Sequence, residues 1–77
     1  MTLSEAIVIR LKSVMEEKDF SAYKLHCEGG ISKSTLSQVL NGTREKIKVY
    51  TLYEVIATMG VTLGEFFSDP IFEDLID

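Results

Sequence analysis

The sequence has one cysteine, one histidine and no long hydrophobic run. Cys27 alone cannot close an intramolecular disulfide, which suits a reducing compartment. His26 and Cys27 together leave a tetrahedral metal site two ligands short, so neither a metal nor a cofactor is expected. The longest unbroken apolar stretch, Ala6 to Ile9, falls far below the ~20 residues that span a membrane. Glu5 precedes it, where a secretory leader would carry basic residues. The expected location is cytoplasmic, with no membrane partner. Chemistry-bearing constellations are also missing. Ser21-Ala22-Tyr23-Lys24 matches the S-x-x-K of acylating serine enzymes, but no second motif accompanies it and no acid, base and nucleophile are paired elsewhere. A chain of 77 residues has little room to enclose a substrate, so the chain is expected to be no enzyme and to have no small-molecule substrate.

Basic residues are absent from the last thirteen positions, which hold Glu65, Asp69, Glu73, Asp74 and Asp77. The formal net charge of −4 would by itself argue against a polyanionic partner. The distribution reverses that argument. All eight Lys and Arg lie in residues 1–64 against seven acids, and Lys33, Arg44, Lys46 and Lys48 face only Glu45 between residues 30 and 48. The one basic patch of an acidic chain therefore sits in its middle.

The length allows one domain with one modest core, and 45% hydrophobic with 26% charged residues is a globular balance. No stretch alternates with period two and no internal repeat is visible, so the chain should be all-α. Thr2-Leu3-Ser4-Glu5 is a capping box for a first helix with Ile7, Leu11 and Val14 on one face and Met15 beside them. Asp19 ends it. Ser21 caps a short second helix through Tyr23, Leu25 and Glu28, and Gly29-Gly30 supplies a tight turn. Ser32 caps a third helix with Leu36, Val39 and Leu40 inward, stopped at Asn41-Gly42. Val49, Leu52, Ile56 and Met59 mark the buried stripe of a fourth helix. Thr62-Leu63-Gly64-Glu65 is a second capping box, opening a fifth helix with Phe66 and Phe67, and Asp69-Pro70 can start a last turn. The aromatic set Tyr50, Tyr53, Phe66 and Phe67 is expected in core and interface.

Two short helices joined through Gly-Gly-Ile, the second polar on its outer side, describe a helix-turn-helix spanning about residues 21–41. The segments "DFSAYKLHCEGGISKSTLSQVLNGT" and "VYTLYEVIATMGVTLGEFF" carry the patterns SxxxL, SxSTLSxxLNG and TLxxVxxxxGVTLxEFF. Over residues 3–67 the chain resembles the Cro and phage-repressor family of DNA-binding domains, the xenobiotic-response-element type. The resemblance implies a compact five-helix, lambda-repressor-like domain over residues 1–68, followed by an acidic apolar tail, 69–77. It also implies double-stranded DNA as partner, with the third helix in the major groove. By matching positions, Lys33, Ser34, Ser37 and Gln38 would meet base edges. Ser21, Ser32, Asn41, Thr43, Arg44, Lys46 and Lys48 would hold phosphates.

Three positions depart from the family pattern. Ala22 stands where a glutamine usually grips phosphate, His26 where a small residue lets the two helices approach, and Gly29 where an aliphatic is usual. His26 and Gly29, three apart on one face, could compensate for each other in volume. The tail's apolar residues suggest a homodimer interface through Phe67, Ile71, Phe72 and Leu75, the alternative being a tail folded back on its own domain. The expected function is a bacterial or phage-type repressor binding a near-palindromic operator. The alternative is a protein-interaction module, such as an antitoxin or anti-repressor, whose tail grips another protein.

Overall fold

A computed structural model describes residues 1–42 and 46–77. Its elements are α1 (Leu3–Lys18), α2 (Ala22–Gly29), α3 (Lys33–Leu40), α4 (Val49–Thr58), α5 (Leu63–Phe67) and a 3-10 turn, Pro70–Phe72. Among the described residues there is no strand. Both capping boxes form: Thr2 and Thr62 hydroxyls accept from Glu5 and Glu65 amides, whose carboxylates accept from the cap amides in return. These local bonds fix where α1 and α5 begin. Asp19, in the left-handed region at φ 58°, ends α1.

The core collects one face from each helix: Ala6, Ile7, Leu11 and Val14 of α1, Leu25 of α2, Leu36 and Val39 of α3, Leu52, Val55 and Ile56 of α4, and Phe66 of α5. Ile31, Met59 and Val61 fill it from the connections. The α2 helix packs on α3 and α4, while α1 packs on α3 and on the final turn. Phe66 is the largest fully buried side chain, and burial of one such residue stabilises by about 1.5–3 kcal/mol.

The expected stripe of α4 is wrong at its start. Val49 is 69% exposed, because the first residue of the helix lies beyond the edge of the core that Leu52, Val55 and Ile56 reach. Tyr50 and Tyr53 are also exposed, their rings 6.2 Å apart on the outer side of α4. Of the four aromatic residues expected in core and interface, Phe66 alone is core; Phe67 is 40% exposed.

Residues 69–77 lie against their own domain. Phe72 stacks near Phe66 and Phe67, at 5.7 and 4.9 Å between ring centroids, and Ile71 and Leu75 are half-buried. The Ile76 amide donates to the Met1 carbonyl, and the Leu3 amide donates to the Asp77 carboxylate at 2.9 Å. Arg10 links three segments at once. Its Nε and Nη2 donate to the carbonyls of Phe66 and Glu65, and Nη1 stands 3.5 Å from Asp69. The helix end at α5 thereby gains partners for carbonyls that the helix itself leaves open.

Candidate nucleic-acid interface

Each part of the helix-turn-helix is held by a short-range device. Ser21 accepts from the Lys24 amide and Ser32 from the Thr35 amide, so α2 and α3 both start on a hydroxyl cap. Between them Gly30 adopts φ 66°, where a side chain would be strained, and its amide closes α2 onto the His26 carbonyl. Ile31 then drops into the core at 6% exposure. His26 braces the turn: Nδ1 lies 2.7 Å from the Ile31 carbonyl, and since a carbonyl only accepts, Nδ1 carries the proton.

His26 and Gly29 do not compensate each other. A Cβ at Gly29 would stand 2.5 Å from Thr58 Oγ1 and 3.1 Å from Ile31 Cδ1. The space opened by Gly29 is filled by α4 and the turn, while His26 is directed to the turn's backbone. The missing side chain therefore brings α2 close to α4.

On α3, Leu36 and Val39 are buried and Lys33, Ser34, Ser37 and Gln38 are exposed. The residues expected to read bases thus share the outer side of one helix anchored by its inner side. Ser37 accepts from Asn41 Nδ2 at 3.1 Å, which ties the two polar side chains together on the outer side of the helix. Lys33 Nζ lies 5.7 Å from the Tyr23 ring centroid across the gap to α2.

The expected phosphate contacts divide. Ser21, Asn41, Lys46 and Lys48 are exposed. The Ser32 hydrogen is donated to Thr35 Oγ1 at 2.8 Å, so a phosphate would have to displace that bond. Thr43 and Arg44 lie outside the described residues. One feature of the site escaped the sequence reading. Among the described residues, α1, α2, α3 and α5 begin on a Ser or Thr cap, whereas α4 begins at Lys48 with no side-chain cap bond. That helix start carries no side-chain acceptor and follows the exposed Lys46 and Lys48 in the chain, and an uncapped helix N-terminus is a positive end of the kind that attracts anions. The signal was present: Ile47-Lys48 ahead of Val49 offers no capping residue.

Among the described residues, no three His, Cys, Asp or Glu side chains gather as metal ligands, and no helix is long and apolar enough to cross a membrane. No curated protein and no solved structure matches the chain. The family model of the Cro/C1-type HTH DNA-binding domain matches residues 10–70, which include the whole of α2, α3, α4 and α5. With most of its length under that match and its polar α3 face standing clear of the core, the chain belongs to the Cro/C1-type helix-turn-helix DNA-binding domains.

Proposed function

We propose that this protein is a sequence-specific transcriptional repressor that binds a near-palindromic operator as a homodimer. The observation that carries the reading is the exposed run Lys33, Ser34, Ser37 and Gln38 on a helix fixed by Leu36 and Val39. Lys33 suits guanine O6 and N7, Gln38 suits adenine N6 and N7, and the serines suit either. Ser21, Asn41, Lys46, Lys48, the uncapped start of α4, and Thr43 and Arg44, which lie outside the described residues, supply phosphate contacts that set register without reading sequence.

A single α3 covers few base pairs, and a two-fold pair places two such helices on half-sites about 34 Å apart. Leu3, Val49 and Phe67 line one shallow groove of about 320 Å³ and are all exposed, an apolar surface suited to a second copy. With Ile71, Phe72 and Leu75 half-buried against their own domain, Phe67 is the tail-side residue best disposed for that contact.

Fluorescence anisotropy against a site selected from a random DNA pool tests the reading. A dimer using about four cationic phosphate contacts per subunit gives a log-log salt slope of about −7. Recovery of an inverted repeat supports dimeric recognition. No binding to any DNA at low salt refutes the reading and favours a protein partner instead, the direction in which the net charge of −4 leans.

A further inference from the structure

A groove of about 340 Å³ runs between α2 and α3 on the side that carries the proposed base readers. Ala22, Tyr23, Lys33, Leu36, Ser37 and Leu40 line it. Ala22, in place of the glutamine usual in the family, ends at Cβ and has no polar group to offer α3 or a phosphate. The next residue, Tyr23, does reach across. It is 67% exposed, and its ring centroid lies 5.7 Å from Lys33 Nζ, inside the range of about 6 Å over which an aromatic face attracts a cation. The Cys27 side chain one turn on, interacting with the Tyr23 hydroxyl, raises the phenol pKa, and the seat for Lys33 is the ring face alone.

Lysine alone is a poor selector of one base edge, being a hydrated point charge on a flexible stem. An acidic partner would steady it but would occupy its N–H donors. A ring face attracts the charge through its quadrupole and leaves those donors open. We propose that Tyr23 is a positioning residue for base recognition, its ring seating the Lys33 ammonium so that α3 presents it to a guanine edge from one place. The proposal rests on the DNA reading above and adds a specificity-determining residue on α2.

The test uses the full chain with Tyr23→Phe, Tyr23→Leu, Lys33→Met and the Tyr23→Leu/Lys33→Met double variant. Because Tyr23 is largely exposed, all four should melt with the wild type. Dissociation constants are measured for the selected site and its single-base variants. Tyr23→Phe should keep the wild-type profile. Tyr23→Leu should lose about two- to five-fold of discrimination at the base pair that Lys33→Met ceases to distinguish, with other preferences and the salt slope unchanged. The double variant should match Lys33→Met. Equal weakening toward all sequences, unchanged preferences, or additive losses would each overturn the role. The seat is also read without DNA, from the Lys33 ε-methylene proton shifts. They should lie upfield in the wild type and Tyr23→Phe and return to ordinary values in Tyr23→Leu; no upfield shift overturns the seat itself. An upfield shift in a protein that binds no DNA would instead refute the DNA reading, and the recognition role with it.

Discussion

Replacement of Gly29 by alanine sets a local preference against a tertiary contact. Inside a helix alanine is about 0.8–1.0 kcal/mol more favourable than glycine. Gly29 is helical, outside the positive-φ group of Gly30, Gly42 and Gly60, so its backbone accepts a side chain. The obstacle is Thr58, whose Oγ1 and Cγ2 would lie 2.5 and 3.2 Å from the new methyl, with Ile31 Cδ1 at 3.1 Å. Thr58 has little freedom to turn away. Its hydroxyl donates to the Glu54 carbonyl at 2.7 Å, and its branched Cβ directs either a methyl or a hydroxyl at α2. Overpacking of this kind costs about 1–3 kcal/mol, more than the helix gain at the last residue of α2. A net loss of about 1–2 kcal/mol corresponds to a fall in Tm of roughly 5–15 °C for a domain this small, readable by thermal circular dichroism. Thr58→Ala removes the two Thr58 atoms and leaves only Ile31 Cδ1, the end of a flexible side chain that can give by a few tenths of an ångström. In that background Gly29→Ala should be neutral or stabilising, with a coupling energy of about 1–2 kcal/mol. Either a Gly29→Ala protein that melts at or above the wild type, or an equal loss in both backgrounds, would refute the close approach of α2 to α4 as the reason for the glycine.

Other outcomes follow from the contacts. Arg10→Lys keeps the charge but cannot reproduce the fork to Phe66, Glu65 and Asp69, so chemical denaturation should show a loss of about 1–3 kcal/mol; wild-type stability would disprove the tie. His26→Ala removes the bond that braces Ile31 and should lower stability by about 1–2 kcal/mol, whereas a gain would show the histidine to be a steric burden. Glu5 and Glu65 have pKa values lowered from the ordinary 4.5, first by the bond from the cap backbone and then by the Thr2 and Thr62 hydroxyls. Their contribution is therefore complete above the unfolded value and is lost as pH falls through the lowered folded values. Urea midpoints between pH 7 and 3 should fall less steeply in Glu5→Gln/Glu65→Gln, since glutamine keeps the capping bond and does not titrate. An unchanged slope would exclude both carboxylates as the source.

The features legible in the sequence are those made within one helical turn. The Thr2–Glu5 and Thr62–Glu65 boxes, the Ser21 and Ser32 caps and the freedom at Gly30 all involve residues at most three apart, so the spacing itself carries the signal. Periodicity located the inner sides of α1, α3 and α4 but not where each stripe leaves the core, which is why Val49 was misplaced. Contacts between distant segments left no trace in the pattern. Arg10 reads as a surface residue of α1 until the carbonyls of Glu65 and Phe66 are brought to it. Gly29 against Thr58 and Tyr23 against Lys33 depend on how α2 meets α4 and α3, which sequence spacing does not encode. The tail's apolar pattern leaves open whether it meets a second copy or its own domain for the same reason: the surface that half covers Ile71, Phe72 and Leu75 belongs to earlier parts of the chain.

The bonds from Ile76 to Met1 and from Leu3 to Asp77 make the backbone a closed circuit in all but the covalent sense. Segments so distant in sequence ordinarily loosen independently of each other. In this fold, opening of residues 76–77 strips hydrogen-bond partners from Met1 and Leu3, so the two should loosen together as a single event. A substitution at Asp77 would therefore be felt at the start of α1.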